Sequence, residues 1–139
     1  MNVNRLTRSL DFQAEALTLR AERQRVIASN IANADTPGYQ ARDMDFASAL
    51  QQATGQLPGS GQMATTQRGH MALPQGAGPA QAALRYATPS QDNLDGNTVD
   101  MDRERASFAE NSVKYEATLR FINSSVRTML DAMKSPSQG

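Results

Sequence analysis

The residue spacing in the last third of the chain restricts the fold more than any other feature. Met101, Arg105, Phe108, Ser112, Tyr115, Leu119, Ile122, Val126, Met129 and Met133 follow one another at steps of four and three without a break, and eight of the ten are apolar. Such a 3.5-residue repeat belongs to a helix that lays one face along another helix. Asp100 is placed to cap it, Asp102 and Glu104 fall in the first turn where the helix dipole favours negative charge, and Lys134 falls in the last turn before Pro136. A helix over about 100–134 would be roughly 50 Å long.

A second long helix is expected at the N-terminus. Leu6, Leu10, Ala14, Leu17, Ala21, Ile27 and Ile31 form one stripe, Phe12, Ala16, Leu19, Arg23 and Val26 form another beside it, and no Gly or Pro precedes Pro37. Two helices of matched length at opposite ends of a chain predict a mainly α fold. It is an antiparallel, coiled-coil-like pair of long N- and C-terminal helices joined by a low-complexity, largely irregular central insert. A pair of helices covers one stripe on each, so the second N-terminal stripe needs a partner in the insert or in another molecule. The insert is poor in large apolar residues, which favours another molecule.

That insert differs sharply in composition. Residues 51–92 carry only Arg68, Arg85 and Asp92 as charges, yet hold six of the nine glycines and four of the six prolines. Ordering such a chain costs roughly 1–2 kcal/mol per residue in backbone entropy, with little apolar area to offset it. Its one weak strand candidate runs from Ala83 to Ala87. The expected organisation is therefore an N-terminal helix and turn over 1–40, a short connecting segment over 41–54, a flexible Gly/Pro/Gln-rich insert over 55–92, and the C-terminal helix over 93–139.

Composition removes whole classes of chemistry. There is no cysteine, so disulfides, thiolate catalysis and Cys-ligated metals are excluded, and a single histidine, His70, leaves no His-rich metal site. Fourteen basic residues balance fourteen acidic ones, which supplies no phosphate-binding surplus and no case for a nucleic-acid partner. No run approaches the roughly 18 apolar residues of a membrane span. Asp11, Gln13 and Glu15 interrupt the N-terminus, which is not expected to be a cleaved secretory signal. Asp95, Gly96, Asn97, Asp100 and Asp102 lack the order of a calcium loop and read instead as an Asp-Gly turn leading into a helix cap. No catalytic residue, metal ligand or cofactor is expected.

The helix stop has more detail. The run Ser29-Asn30-Ile31-Ala32-Asn33-Ala34-Asp35-Thr36-Pro37-Gly38-Tyr39 ends a helix with two asparagines suited to left-handed geometry or to bonding back onto local backbone. Thr36-Pro37-Gly38-Tyr39 then fits a type II turn that delivers Tyr39 as an anchor. This run resembles the N-terminal signature of the bacterial flagellar axial proteins, the rod, hook and hook-associated subunits. Ala41-Arg42-Asp43-Met44-Asp45-Phe46, and the run from Leu94 through Asp95, Gly96, Asn97, Thr98, Val99, Asp100 and Met101 to Asp102, narrow the likeness to rod proteins. Residues 1–50 and 93–139 take part in the resemblance; 51–92 do not.

The resemblance implies a structural subunit of the proximal rod, in the periplasmic space. It would be exported through the flagellar type III apparatus without cleavage and would pack into a hollow helical tube. Its partners would be copies of itself and other rod subunits, with inner-membrane ring, junction and export-gate proteins at the rod base. The expected assembly seam is Leu6, Leu10, Leu17, Ile27, Ile31, Phe108, Tyr115, Leu119, Ile122, Val126 and Met129. Phe46-Ala47-Ser48-Ala49-Leu50 has the form of the family's export-gate motif; as plain residues, Phe46 and Leu50 are equally the buried face of a minor helix. A cytoplasmic coiled-coil adaptor is the alternative reading, sharing the heptads without needing the turn.

Overall fold

The computed structural model describes residues 3–55, 83–87 and 93–134. The element order is α1 (Val3–Ala32), β1 (Arg42–Met44), α2 (Phe46–Gly55), β2 (Leu84–Tyr86) and α3 (Met101–Lys134). Hydrogen bonds between the long helices join Asn111 to Arg20 and Gln24, and Gln24 to Ser112, while Asn30 reaches Glu104. Later residues of α1 meet earlier residues of α3, so the pair is antiparallel.

Each boundary has a local cause. Asp100 Oδ1 accepts the backbone N–H groups of Asp102 and Arg103 at 3.1 and 3.2 Å, satisfying donors that an uncapped helix start leaves open. Asp45 caps α2 in the same way, accepting from the Ser48 N–H at 3.1 Å and the Ser48 hydroxyl at 2.9 Å. The weak strand candidate at 83–87 forms β2, which pairs antiparallel with β1 in the register Arg42 to Tyr86, Asp43 to Arg85 and Met44 to Leu84. The remaining insert, 56–82 and 88–92, lies outside the described residues, and so does the expectation that it is flexible.

One packing expectation is corrected. The second stripe of α1 finds much of its cover within the chain. Leu19 is buried in a cluster with Met44, Ala49, Ala53 and Ala83, against which Phe46, Leu50 and Leu84 pack. The large side chains are few, but three alanines let α2 and the strand pair approach α1 closely, so little apolar mass suffices. Phe12 of that stripe remains exposed.

The heptad seam of α3 is divided. The buried positions of α3 are Glu104, Asn111 and Thr118, spaced at sevens, all polar and none of them in that repeat. Tyr115, Ile122 and Met129 are half-buried, whereas Phe108, Leu119 and Val126 face outward, Leu119 at 36% and Val126 at 40% exposure. The reason lies on α1, which offers Gln24, the Arg20 carbonyl and the Asn30 amide to α3. Polar partners there draw in polar residues of α3, because a buried amide or carboxylate without a partner would cost more than an exposed leucine.

Candidate functional site

The two runs that carry the family resemblance, more than fifty residues apart in sequence, form one junction. Asn97 is 2% exposed, and its Nδ2 lies 3.0 Å from the carbonyl oxygen of Asn33, 2.8 Å from that of Ala34 and 2.8 Å from that of Thr36. These are carbonyls at and just beyond the end of α1, groups that no further helical turn can satisfy. Its Oδ1 accepts the Val99 N–H at 2.8 Å, so both ends of the amide are used.

Backbone contacts extend the joint. The Gly38 N–H donates to the Asp95 carbonyl at 2.8 Å, and the Thr98 N–H to the Tyr39 carbonyl at 3.0 Å. The Ala41 N–H donates to Thr98 Oγ1 at 2.8 Å. Tyr39 closes the expected turn by donating its N–H to the Thr36 carbonyl at 3.2 Å, with Gly38 at φ +72° as a type II turn requires. Gly96 has the same φ, and a Cβ there would sit 3.7 Å from the Gly38 Cα, so two turns meet glycine to glycine.

The signature residues divide the labour. Asn30 is almost wholly buried; its Nδ2 donates to the Arg42 carbonyl at 2.6 Å, and its Oδ1 accepts the Arg42 N–H at 3.1 Å. Its side chain thus stands where a neighbouring strand would be, and it guides the chain into β1. The same Oδ1 accepts from the Tyr39 hydroxyl at 3.2 Å, and Ser29 Oγ lies 3.4 Å from that hydroxyl. Asn33 Nδ2 returns to the Ser29 carbonyl at 2.8 Å, and its Oδ1 accepts from Thr36 Oγ1 at 3.3 Å. Neither asparagine is left-handed; both act through hydrogen bonds. Ile31 and Ala32, with Ala28, Arg105 and Phe108, line an open cleft of about 390 Å³ beside the joint.

Electrostatics here are local. Burial holds the Glu104 carboxyl above its ordinary value, opposed by the Asn30 amide. Arg23 stands 3.8 Å from Asp43, and Arg85 3.5 Å from Asp45. Phe46 lies under the Arg20 guanidinium, whose Cζ is 4.3 Å from the ring centre, and Leu50 packs with it against the Leu19 cluster. Among the described residues, no three His, Cys, Asp or Glu side chains are grouped to hold a metal, and no helix is long and apolar enough to cross a membrane.

The residues of the expected assembly seam are scattered over these surfaces. Ile27 is buried, Leu6, Leu10, Leu17, Ile31, Tyr115, Ile122 and Met129 are half-buried, and Phe108, Leu119 and Val126 are exposed. The sequence places Glu104 in the first turn of α3 but does not mark it as buried, and it singles out neither Asn111 nor Gln24. The signal available was the seven-residue spacing of Glu104, Asn111 and Thr118, which the apolar repeat beside it overshadows. The joint fixes how α1, β1 and α3 meet at one end of the molecule.

Residues 10–40 match the family model described as flagella basal body rod protein. Among curated proteins, the chain is 47% identical over 135 residues to the flagellar basal body rod protein FlgB of Proteus mirabilis (strain HI4320), covering 95% of this chain and 98% of that protein. It is also 47% identical to the FlgB of Escherichia coli (strain K12), over 96% of this chain and 98% of the relative. The same identity relates it to the FlgB of Salmonella typhimurium, over 95% of this chain and 97% of the relative.

Proposed function

The chain belongs to the FlgB family of flagellar basal body rod proteins, and from that membership we propose that it builds the proximal rod by polymerising through its terminal helices after type III export. It is a structural component of the flagellar basal body rod and not an enzyme. Its partners include other rod subunits, and the reading extends them to ring, junction and export-gate proteins at the rod base.

One observation carries the reading. The fully buried positions of α3 are polar, whereas Phe108, Leu119, Val126, Leu130 and Met133 stand exposed. Complete burial of such a side chain from water is worth about 1.5–3 kcal/mol, and a tube of subunits gains the share of it that the lone chain leaves exposed. The Asn97 joint supports the reading from the other side, because it holds one end of the helix pair rigid while the outward face docks. Phe46 and Leu50, packed in the folded subunit, are free to serve as the export motif while the chain is unfolded for transport.

Secretion and assembly separate these roles. In cells lacking the native gene, Leu119→Asp is expected to leave the cytoplasm at the parental level and to be missing from purified basal bodies. A carboxylate there costs several kcal/mol when a neighbouring subunit buries it, and little in the lone chain. Phe46→Ala is expected to stay inside the cell. Normal incorporation of Leu119→Asp would sink the role of the α3 face, and parental export of Phe46→Ala would reduce Phe46 and Leu50 to packing.

A further inference from the structure

Two lines of residues run along α3 at seven-residue spacing, one position apart. Glu104, Asn111, Thr118 and Ser125 face α1: the first three are buried and Ser125 is half-buried. The adjoining line is Ser112, Leu119, Val126 and Met133, and its three apolar members are all exposed, Met133 at 71%. Between the two lines Tyr115, Ile122 and Met129 are half-buried, and apolar burial by itself favours rolling the helix further about its axis so that Leu119, Val126 and Met133 join them against α1.

The contacts that hold the observed roll are concentrated at one level. Asn111 is 0% exposed; its Nδ2 donates to the Arg20 carbonyl at 2.9 Å and to Gln24 Oε1 at 2.6 Å. Gln24 answers with its Nε2, which donates to Ser112 Oγ at 2.9 Å. One residue from each line is thus tied to the same glutamine, a pairing that a rolled helix could not keep. Asn111 Oδ1, meanwhile, is buried with no hydrogen-bond partner. A buried amide left half-satisfied lowers stability relative to an apolar residue of similar size, so a gain in stability does not account for it.

We infer that Asn111, Gln24 and Ser112 form a rotational lock that selects which face of α3 packs on α1 and keeps the Leu119, Val126 and Met133 line outward. The physical logic is that of a single polar seam residue that fixes the register of a coiled coil at some cost in stability. The inference rests on the proposed function only for the use made of the outward line; the roll of the helix is measurable by itself.

The chain contains no cysteine, so a single introduced thiol reports its own exposure. Thr118→Cys and Leu119→Cys are each made in the parent chain, in Asn111→Ala and in Gln24→Ala, and maleimide labelling rates are measured on the purified full-length proteins. In the parent, Leu119→Cys is expected to label roughly tenfold faster than Thr118→Cys. In either lock variant the two rates move in opposite directions, Leu119→Cys slowing and Thr118→Cys quickening. Unfolding quickens labelling and slows none, so an increase at both sites in both variants overturns the lock in favour of a merely stabilising role. Unchanged rates overturn it as well, as do equal rates in the parent. A crossover together with normal rod assembly leaves the lock standing and removes the outward line from the proposed function.

Discussion

Asn97 Nδ2 stands 3.0 Å from the carbonyl oxygen of Asn33, a residue 64 positions earlier in the chain. That one amide ties the end of the first long helix to the segment that starts the second. The shape of the molecule at this end depends on it, because the carbonyls of Ala34 and Thr36 share the same donor.

Replacing Asn97 should therefore be costly in a graded way. Asn97→Ala leaves partly buried carbonyls without their donor and is expected to destabilise the chain by about 1–3 kcal/mol. Asn97→Asp keeps the shape but sets carboxylate oxygens against carbonyl oxygens, and is expected to cost more than the alanine. Thermal melts followed by circular dichroism on the full-length variants rank the two. An aspartate variant as stable as the parent would show that shape, not donation, holds the joint.

Gly38 offers a cleaner probe of backbone geometry. Its φ is +72°, and a Cβ placed there meets no heavy atom within 4 Å, so space is not the constraint. Gly38→Ala is expected to cost about 1–2 kcal/mol from left-handed strain alone. Gly38→Asn should cost less, since asparagine tolerates that region. Equal melting points for both variants and the parent would mean that the turn opens without loss.

Glu104 ties stability to pH. Its carboxyl is raised above the ordinary 4.5 by burial first, with the Asn30 amide and Arg103 pulling down and Asp43 and Asp100 pushing up. A carboxyl raised in the folded state is disfavoured when ionised. The penalty is absent in acid below 4.5, grows as pH rises towards the raised folded value, and is complete above it. Glu104→Gln should thus match or exceed parental stability at neutral pH and lose that advantage in acid. Asp45 works in the opposite sense: the Ser48 N–H and hydroxyl hold its carboxylate below 3.8, so its contribution is lost as pH falls through that lowered value. Melts of the parent and Glu104→Gln between about pH 4 and pH 8 test the sign, and a pH-independent difference between them would refute it.

Periodicity and local chemistry made the long elements legible in the sequence alone. The steps of four and three from Met101 to Met133, the cap at Asp100, and the Pro37-Gly38 turn depend on neighbours a few residues away, and local geometry fixes them wherever the chain sits. The signature from Ser29 to Tyr39 marked the family for the same reason, since its turn and helix stop are written within eleven consecutive residues. Which face of α3 would turn inward was not legible. The apolar line is the stronger pattern, and only the tertiary structure brings Gln24 and Asn30 of α1 to bear on Asn111 and Glu104. Likewise no local rule joins Asn97 to Asn33, or sets Leu19 among the alanines of α2. Those pairings depend on which polar groups are left without partners once the helices meet, and burial decides that question only when the whole chain is folded.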